Sequence, residues 1–198
     1  MRITSGEFRG RPIKTPNSDK THPMGDRERL ALFNRLDSHL GGRHPDSDSK
    51  LKGAKVLDLY AGSGALGFEA LSRGAGSVVF VEQEKMAIAA ISFNCSTFSI
   101  ENQVKIIPTH VKKYLKTAPD TPFDIIFCDP PYDNFHPEDF ANVANFLSPS
   151  GFFVLSYPEQ KVGQKPERDP EQKAPKITGL TLLSSKSYAR AHISIYSV

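Results

Sequence analysis

The sequence predicts an α/β fold built on an open, mostly parallel sheet, and three stretches indicate it. An apolar run at 56–60 leads through a glycine-rich turn at 62–64 into a segment with helical spacing. A second apolar run ends at the acidic residue Glu82, and a third, at 123–128, ends in a polar, proline-rich turn. Open parallel sheets bind ligands at the carboxyl ends of their strands, where these polar residues fall. We therefore expect one ligand site along the carboxyl edge of the sheet.

The bulk composition predicts one catalytic domain. With 198 residues, of which 38% are hydrophobic, the chain can bury one α/β core and a small appendage. It has no apolar run of about eighteen residues and no secretion leader, so we expect a cytoplasmic protein without membrane contact. Cys95 and Cys128 fall inside helix and strand patterns, which favours buried apolar side chains over a disulfide. Their spacing makes no metal site, and we expect no metal.

Positive charge is concentrated at the amino terminus. Residues 1–43 contain nine Lys or Arg and five Asp or Glu, which gives them a net charge of +4, whereas the whole chain carries +3. Basic residues alternate with Phe8 and Ile13 around Gly6 and Gly10, a pattern that predicts a small β-hairpin. Such a hairpin beside a ligand site can contact nucleic-acid phosphates, and a solvated charged surface is the alternative interpretation. The candidate nucleic-acid contacts are Arg2, Arg9, Arg11, Lys14 and Arg27.

The amino-terminal half divides into an extension, a linker and the start of the core. Asp26 can cap a helix at 27–39, whose apolar residues fall on one face. Residues 44–53 are rich in Gly, Ser, Asp and Lys, which predicts a linker. We therefore expect a basic extension at 1–43, a linker at 44–53 and a catalytic domain at 54–198.

The glycine turn predicts a ligand that contains a nucleoside. Gly62, Gly64 and Gly67 fit the G-x-G-x-x-G pattern, which lets the backbone approach a ligand and packs the helix on the strand. Glu82 lies twenty positions after Gly62, where an acid accepts hydrogen bonds from ribose hydroxyls. Asp58, an acid inside an apolar strand, needs partners such as N–H groups of the turn or an amino group of the ligand. The candidate cofactor-binding residues are Asp58, Tyr60, Ala61, Gly62, Ser63, Gly64, Glu82 and Gln83.

The stretch at 129–132, Asp-Pro-Pro-Tyr, indicates the group that is modified. Its two prolines fix the backbone and remove two N–H donors, so the carbonyl groups face a pocket. The Asp129 carboxylate and the Pro130 carbonyl can hold both N–H groups of a base amine while Tyr132 stacks on the base. This frees the nitrogen lone pair beside a sulfonium methyl, and orientation supplies most of the remaining catalysis. Asp129, Pro130, Pro131 and Tyr132 are the candidate catalytic residues, and an ordinary turn is the alternative.

The remaining patterns predict elements that complete the sheet. They are a helix at 85–98, strands at 104–107 and 151–156, a helix at 137–147, and two final strands at 180–185 and 192–196. Residues 157–176 are rich in Pro, Glu, Gln and Lys and contain almost nothing apolar, which predicts a mobile loop.

Four blocks of sequence together resemble a known enzyme family. They are Arg-Ile-Thr-Ser-Gly-Glu-Phe-Arg-Gly-Arg-Pro at 2–12, Asp-Arg-Glu-Arg at 26–29 with Leu-Phe-Asn-Arg-Leu at 32–36, Val-Leu-Asp-Leu-Tyr-Ala-Gly-Ser-Gly-Ala-Leu-Gly-Phe-Glu-Ala-Leu-Ser-Arg-Gly-Ala at 56–75, and Asp-Pro-Pro-Tyr at 129–132. The last two blocks resemble class I S-adenosylmethionine-dependent amino-methyltransferases. All four together look like the bacterial small-subunit rRNA guanine-N2 methyltransferase family of the RsmD type, and the resemblance covers most of the chain.

The resemblance implies a Rossmann-like class I methyltransferase fold, with a mostly parallel seven-stranded sheet that has one antiparallel strand. It implies methyl transfer from S-adenosylmethionine to the N2 amine of a guanine in 16S rRNA, free or in the assembling small ribosomal subunit. The target base would have to be flipped out of its stack to reach Asp129. We expect a monomer. The chain departs from the family pattern at 22–25, at 109–111, where many relatives hold the adenine with an Asp, and at 156–158.

Three other functions remain open. An N6-adenine methyltransferase acting on DNA or on another RNA shares the Asp-Pro-Pro-Tyr chemistry, although the DNA enzymes usually carry a target-recognition domain for which this chain has no room. A nicotinamide-dependent oxidoreductase would explain the glycine turn but leave 129–132 unused. A non-catalytic RNA-binding protein with this fold would bind RNA without binding a cofactor.

Overall fold

The computed structural model describes residues 1–16, 24–41, 51–158, 174–188 and 191–198. The helices of this part of the chain are α1 (Asp26–Leu40), α2 (Ala65–Ser72), α3 (Lys85–Phe98) and α4 (Val111–Tyr114). The strands are β1 (Lys55–Leu59), β2 (Ser77–Glu82), β3 (Val104–Pro108), β4 (Phe123–Cys128), β5 (Leu147–Pro158), β6 (Thr181–Ser187) and β7 (Ala191–Ser197).

The seven strands form one sheet in the order β3-β2-β1-β4-β5-β7-β6. Strands β1 to β5 pair in parallel, and β7 lies antiparallel between β5 and β6. This confirms the prediction of a Rossmann-like class I sheet with one antiparallel strand. Because β2, β1 and β4 are neighbours, the glycine turn, Glu82 and Asp129 all lie at the same carboxyl edge.

Apolar side chains on both faces of the sheet form two cores. The amino-terminal hairpin, α1, α2 and α3 cover one face, and α4 with the turns that follow β4 covers the other. The Phe33 ring of α1 lies 5.3 Å from that of Phe127 on β4, and the His39 ring lies 6.4 Å from that of Phe152 on β5. Phe152 pairs with Ile125, which lies nearer the start of β4 than Phe127 does. Helix α1 therefore runs antiparallel to β4, and its amino end points to the carboxyl edge.

The amino-terminal residues form the expected hairpin, which packs closely on α2. The Ile3 N–H donates to the Arg11 carbonyl at 3.0 Å, and the Glu7 N–H donates to the Ser72 carbonyl at 2.8 Å. Gly6 has a φ of +80°, and a Cβ added there would lie 1.7 Å from the Ser72 oxygen. Only glycine fits this contact, so the Gly6 turn fixes the hairpin against the helix that follows the glycine turn.

A buried charged network, here called the Glu69 cluster, also joins the hairpin and α1 to α2. The Glu69 carboxylate accepts the Thr4 N–H at 2.8 Å, the Thr4 hydroxyl at 2.6 Å and the Ser5 N–H at 3.0 Å. It also accepts Arg29 Nε at 3.2 Å and Arg73 Nε at 3.0 Å. The Arg29 and Glu69 side chains are both 0% exposed. Their charges are paired and hydrogen-bonded, which is the condition under which charges are tolerated in a core.

Helix α1 begins one residue earlier than expected, with a different cap. Gly25, not Asp26, is the N-cap residue, and the Glu28 side chain accepts the Gly25 N–H at 3.1 Å. Asp26 lies inside the helix and pairs with Arg29 at 3.0 Å. The capping box therefore replaces the expected cap by Asp26: the third helical residue, Glu28, accepts the N–H of the cap residue, Gly25.

The expected helix at 137–147 is wrong, because two 3₁₀ turns, Pro137–Phe140 and Val143–Phe146, occupy that stretch. Phe140, Val143 and Phe146 are all buried. Their spacing is three residues, which matches the three residues per turn of a 3₁₀-helix.

Two predicted boundaries also change. The predicted mobile loop at 157–176 begins too early, because Tyr157 and Pro158 belong to β5 and Tyr157 is 2% exposed. Most of the predicted linker at 44–53 lies outside the described residues, as does most of the loop. Leu51 belongs to the core, and the Gly53 N–H donates to the Gly74 carbonyl at 2.9 Å, so 51–53 form a packed turn.

Candidate active site

The glycine turn is held in a ligand-binding shape by Asp58. Gly62 and Gly64 have φ values of +54° and +77°, which residues with side chains rarely adopt. The Asp58 Oδ2 atom accepts the Gly67 N–H at 2.9 Å, which satisfies one of the free N–H groups at the start of α2. Burial raises the pKa of Asp58, and the bond from Gly67 acts in the opposite direction. The Gly67 N–H belongs to α2, so Asp58 is bound by a backbone N–H just beyond the turn at 62–64, where its N–H partners were expected.

Glu82 is oriented at the end of β2 by three backbone N–H groups. Its Oε2 atom accepts the Gly62 N–H at 2.7 Å, and its Oε1 atom accepts those of Gln83 and Glu84 at 2.8 and 2.9 Å. A carboxylate has about four acceptor positions, so these bonds leave capacity for a ligand hydroxyl. The backbone thus orients Glu82, the acid that the sequence predicts to bind a ribose.

A pocket lies between the ends of β1, β2 and β3. It is lined by Tyr60, Val81, Glu82, Gln83, Thr109 and Val111. An aromatic ring and two valines beside a carboxylate are the kinds of group that contact the base and the hydroxyls of a nucleoside. The segment at 109–111 departs from the family pattern. Thr109 and Val111 line the pocket, whereas the exposed His110 is the N-cap residue of α4. A backbone contact of this segment is therefore the available replacement for the missing Asp.

Asp129 follows β4 directly, one strand away from the glycine turn. Its negative charge and that of Glu82 both raise the pKa of Asp58, after the larger effect of burial. The three carboxyl groups therefore lie within electrostatic reach of one another. Pro130 is buried and Pro131 is exposed, so the backbone of the Asp-Pro-Pro-Tyr turn lies at the boundary between the core and solvent.

Tyr132 and Ser156 form, with Asp129, what we call the Asp129 cluster. The Tyr132 hydroxyl lies 2.6 Å from Ser156 Oγ and 3.5 Å from Asp129 Oδ1. Ser156, at the end of β5, is 2% exposed. The hydroxyl of Tyr132 therefore positions Asp129, while stacking of its ring on a base stays a prediction.

Burial raises the pKa of Asp129 to about 6. Hydrogen bonds from Ser156 and Tyr132 lower it, and the charge of Glu28 on α1 raises it further. Above pH 6 the side chain is an ionised acceptor in a poorly solvated place, which is a property of functional carboxylates.

Sequence reasoning did not find Ser156 or Glu28 as site residues. Ser156 was noted only as a departure from the family pattern, and its contact with Tyr132 depends on β5 lying beside β4. Glu28 reaches the site because α1 runs antiparallel to β4. Neither relation leaves a local signal in the chain.

The five candidate RNA contacts have different environments. Arg2 Nη1 donates to the Gly10 carbonyl at 2.8 Å, and the Arg11 guanidinium lies 4.7 Å from the centre of the Phe98 ring and donates to the Thr97 carbonyl. Both guanidinium groups therefore have partners within the protein. The other three, which are exposed, are Arg9, Lys14 and Arg27.

The described part of the chain contains neither a membrane-spanning helix nor a cluster of metal ligands. None of its helices is long and apolar enough to cross a membrane. Within the same residues, no group of three or more His, Cys, Asp or Glu side chains could hold a metal ion. Cys95 and Cys128 are free and buried, as predicted.

Known proteins resemble the chain over nearly its whole length. Residues 1–197 match the family model described as "Conserved hypothetical protein 95". The chain is 33% identical to ribosomal RNA small subunit methyltransferase D of Haemophilus influenzae, over 84% of this chain and 83% of that protein. It is 28% identical to the putative rRNA methyltransferase YlbH of Bacillus subtilis, over 99% of this chain and 98% of that protein.

A solved structure supports the fold. The putative methyltransferase yhhF from Escherichia coli superposes with a TM-score of 0.78 at 24% identity, over 99% of this chain and 96% of that chain. At this identity the likeness concerns the fold alone. The family match, the identity to the Haemophilus protein and the arrangement of the site agree, and the chain belongs to the ribosomal RNA small subunit methyltransferase D family.

Proposed function

We propose that this protein transfers a methyl group from S-adenosylmethionine to the exocyclic N2 amine of a guanine in 16S rRNA. The substrate is the rRNA, free or in the assembling small subunit, and the enzyme acts on it as a cytoplasmic monomer. The observation that carries the proposal is the shared carboxyl edge: Glu82 and its pocket at the end of β2, and Asp129 after β4, lie on either side of the end of β1. The names of the relatives support the ribosomal substrate.

The glycine turn, Asp58 and Glu82 bind the cofactor. Glu82, fixed by three N–H groups, accepts the ribose hydroxyls, and the Tyr60 side of the pocket holds the base. Asp58 fixes the start of α2 and offers a negative charge beside the turn for the amino group of the methionine part. When bound, S-adenosylmethionine supplies an electrophilic methyl group on its sulfonium.

Asp129 and the Pro130 carbonyl orient the target amine. Each accepts one N–H of the flipped base, so the nitrogen lone pair points toward the methyl group. The bound cofactor would supply the methyl group and leave as a neutral thioether; the methylated nitrogen would carry a positive charge, which the Asp129 carboxylate would stabilise. The surplus proton then passes to solvent, because no strong base is needed once the amine is methylated.

The exposed cations of the amino-terminal region supply the RNA contact. Arg9, Lys14 and Arg27 are exposed and carry charge that no described acid pairs with, although the Lys14 ammonium lies 4.2 Å from the centre of the Phe93 ring. Contacts of this type position an RNA through its phosphates without reading its sequence.

The test is transfer of labelled methyl to small ribosomal subunits purified from cells that lack the protein, followed by nucleoside digestion. The wild type is compared with Asp129→Ala and with Asp120→Ala, which removes an exposed acid before β4. We expect label in N2-methylguanosine with the wild type and Asp120→Ala, and a loss of about 100-fold or more with Asp129→Ala. Label in another nucleoside, or none on rRNA despite cofactor binding, would overturn the proposed function.

A further inference from the structure

We propose that Glu28 makes the enzyme select guanine, by accepting the N1–H of the base whose N2 amine Asp129 holds. This inference rests on the proposed function and names a residue that determines its base specificity. Glu28 belongs to α1, outside both the glycine turn and the Asp-Pro-Pro-Tyr turn.

The packing of α1 places Glu28 at the level of Asp129. The Phe33 ring of α1 lies over Phe127 of β4, and the two elements run antiparallel. Glu28 is five residues before Phe33, which is about 7 Å along a helix. Asp129 is two residues after Phe127, which is about 7 Å along a strand. Along the direction of β4, Glu28 and Asp129 therefore both lie at the carboxyl edge of the sheet.

Electrostatic interactions agree with this placement. Burial is the main cause of the raised pKa of Asp129, and the charge of Glu28 adds to it. Burial and the charge of Asp129 are likewise the larger causes for Tyr132, and Glu28 adds to them. Two groups of the active site thus experience the charge of Glu28.

The Glu28 carboxylate has an oxygen available for a ligand. Its Oε2 atom accepts the Gly25 N–H at 3.1 Å, which fixes the direction of the side chain. Its Oε1 atom makes no hydrogen bond with any residue that the structure describes, and the side chain is half-buried. The capping box therefore holds one carboxylate oxygen of Glu28 and leaves the other available at the amino end of α1.

Guanine and adenine differ at the position next to the amine that is methylated. In guanine, the N1 atom beside the N2 amine carries a hydrogen and donates, whereas in adenine the N1 atom beside the N6 amine is an acceptor. Enzymes that flip a base read it by hydrogen bonds to this edge. A second carboxylate next to Asp129 binds the guanine edge and repels the adenine lone pair.

The substitution Glu28→Gln tests the assignment without removing the cap. A glutamine can still accept the Gly25 N–H with its single oxygen, which leaves an N–H₂ group where Oε1 was. The matched control is Glu101→Gln, which changes an exposed acid in the turn before β3. The substrates are small subunits reconstituted with rRNA that carries either guanine or adenine at the position labelled by the wild type.

We expect Glu28→Gln to lower kcat/KM for guanine about 10- to 100-fold, in the range of a lost base-edge contact. Adenine is expected to be methylated no more slowly than by the wild type, so the guanine-to-adenine ratio falls at least tenfold, while cofactor affinity and thermal stability stay unchanged. A guanine rate within about twofold of wild type, or equal losses for both bases, would overturn the role of Glu28 alone. Absence of N2-methylguanosine with the wild type would overturn this inference together with the proposed function.

Discussion

Glu69 and Asp129 are two carboxylates surrounded by protein, and their partners differ. Glu69 accepts five hydrogen bonds from hairpin, α1 and α2 donors. In the described part of the chain, Asp129 has only the Ser156 hydroxyl and, at a distant 3.5 Å, the Tyr132 hydroxyl, and burial raises its pKa to about 6. Protein donors use the acceptor capacity of Glu69, whereas part of that of Asp129 remains for a ligand. A buried acid that is saturated holds the fold together, and one that is left under-bonded can bind a substrate.

The first turn of α1 connects the two clusters. Arg29 points into the Glu69 cluster, and its neighbour Glu28 interacts with Asp129. Adjacent residues on a helix are about 100° apart around the axis, so they face different surroundings. The comparison therefore predicts that substitutions in the first turn of α1 can change stability without activity, or activity without stability.

The largest expected effect is on stability. Replacing Glu69 by Gln removes the buried negative partner of the Arg29 guanidinium and leaves it, among the described acids, only Asp26, which is 48% exposed, so we expect the free energy of unfolding to fall by about 3 to 5 kcal/mol. Denaturant unfolding measures the change. The control is Asp37→Asn, which removes the other acid paired with Arg73, at 3.5 Å and 34% exposed.

That control should cost less than about 1 kcal/mol, as exposed ion pairs do. If Glu69→Gln also costs less than 1 kcal/mol, the Glu69 cluster does not hold the hairpin and α1 to the core.

The next effect is on the pH dependence of methyl transfer. Asp129 stabilises the positive charge that develops on the amine only when it is ionised, and burial raises its pKa to about 6. The rate should be level above pH 7 and fall by about tenfold per pH unit below 6, because the protonated acid has lost its charge. Single-turnover rates between pH 5 and 8 measure it, with cofactor binding and folding followed at each pH. A level rate down to pH 5 would contradict the role of the carboxylate.

The smallest effect concerns the hydroxyl that positions Asp129. Tyr132→Phe keeps the ring and removes the contacts with Ser156 and Asp129. We expect a three- to tenfold loss in kcat, the scale of one hydrogen bond, without a change in cofactor affinity. Ser156→Ala is the matched variant on the other side of the same bond and should give a similar loss. A larger loss for either would indicate direct contact with the substrate.

The sequence predicted well which residues lie at the carboxyl edge of the sheet, because the patterns that indicate them are local. The glycine turn, Glu82 and Asp129 each follow an apolar run directly, so each could be placed at a strand end. The identity of the family followed from the same blocks and is confirmed by the relatives.

The structure corrected the sequence where a tertiary contact decides the local form. The stretch at 137–147 has an apolar pattern that suits a helix, yet the burial of Phe140, Val143 and Phe146 at a spacing of three produces 3₁₀ turns. Arg11 contacts the Phe98 ring and the Thr97 carbonyl, while its role as an RNA contact stays a prediction. Such contacts join residues far apart in the chain, which no local pattern records.

The substitution Asp129→Asn tests the central claim most directly, with stability and methyl transfer measured on the same preparation. Because burial raises the pKa of Asp129, the ionised form is disfavoured in the folded state, and its cost is fully present above about pH 6. Asn removes that cost, so the variant should be about 1 to 3 kcal/mol more stable at pH 8, with the gain shrinking as the pH falls from 6 toward 4. It should also place label in N2-methylguanosine at least about 100-fold more slowly than the wild type. A variant that is less stable, or that transfers methyl at the wild-type rate, would contradict the account.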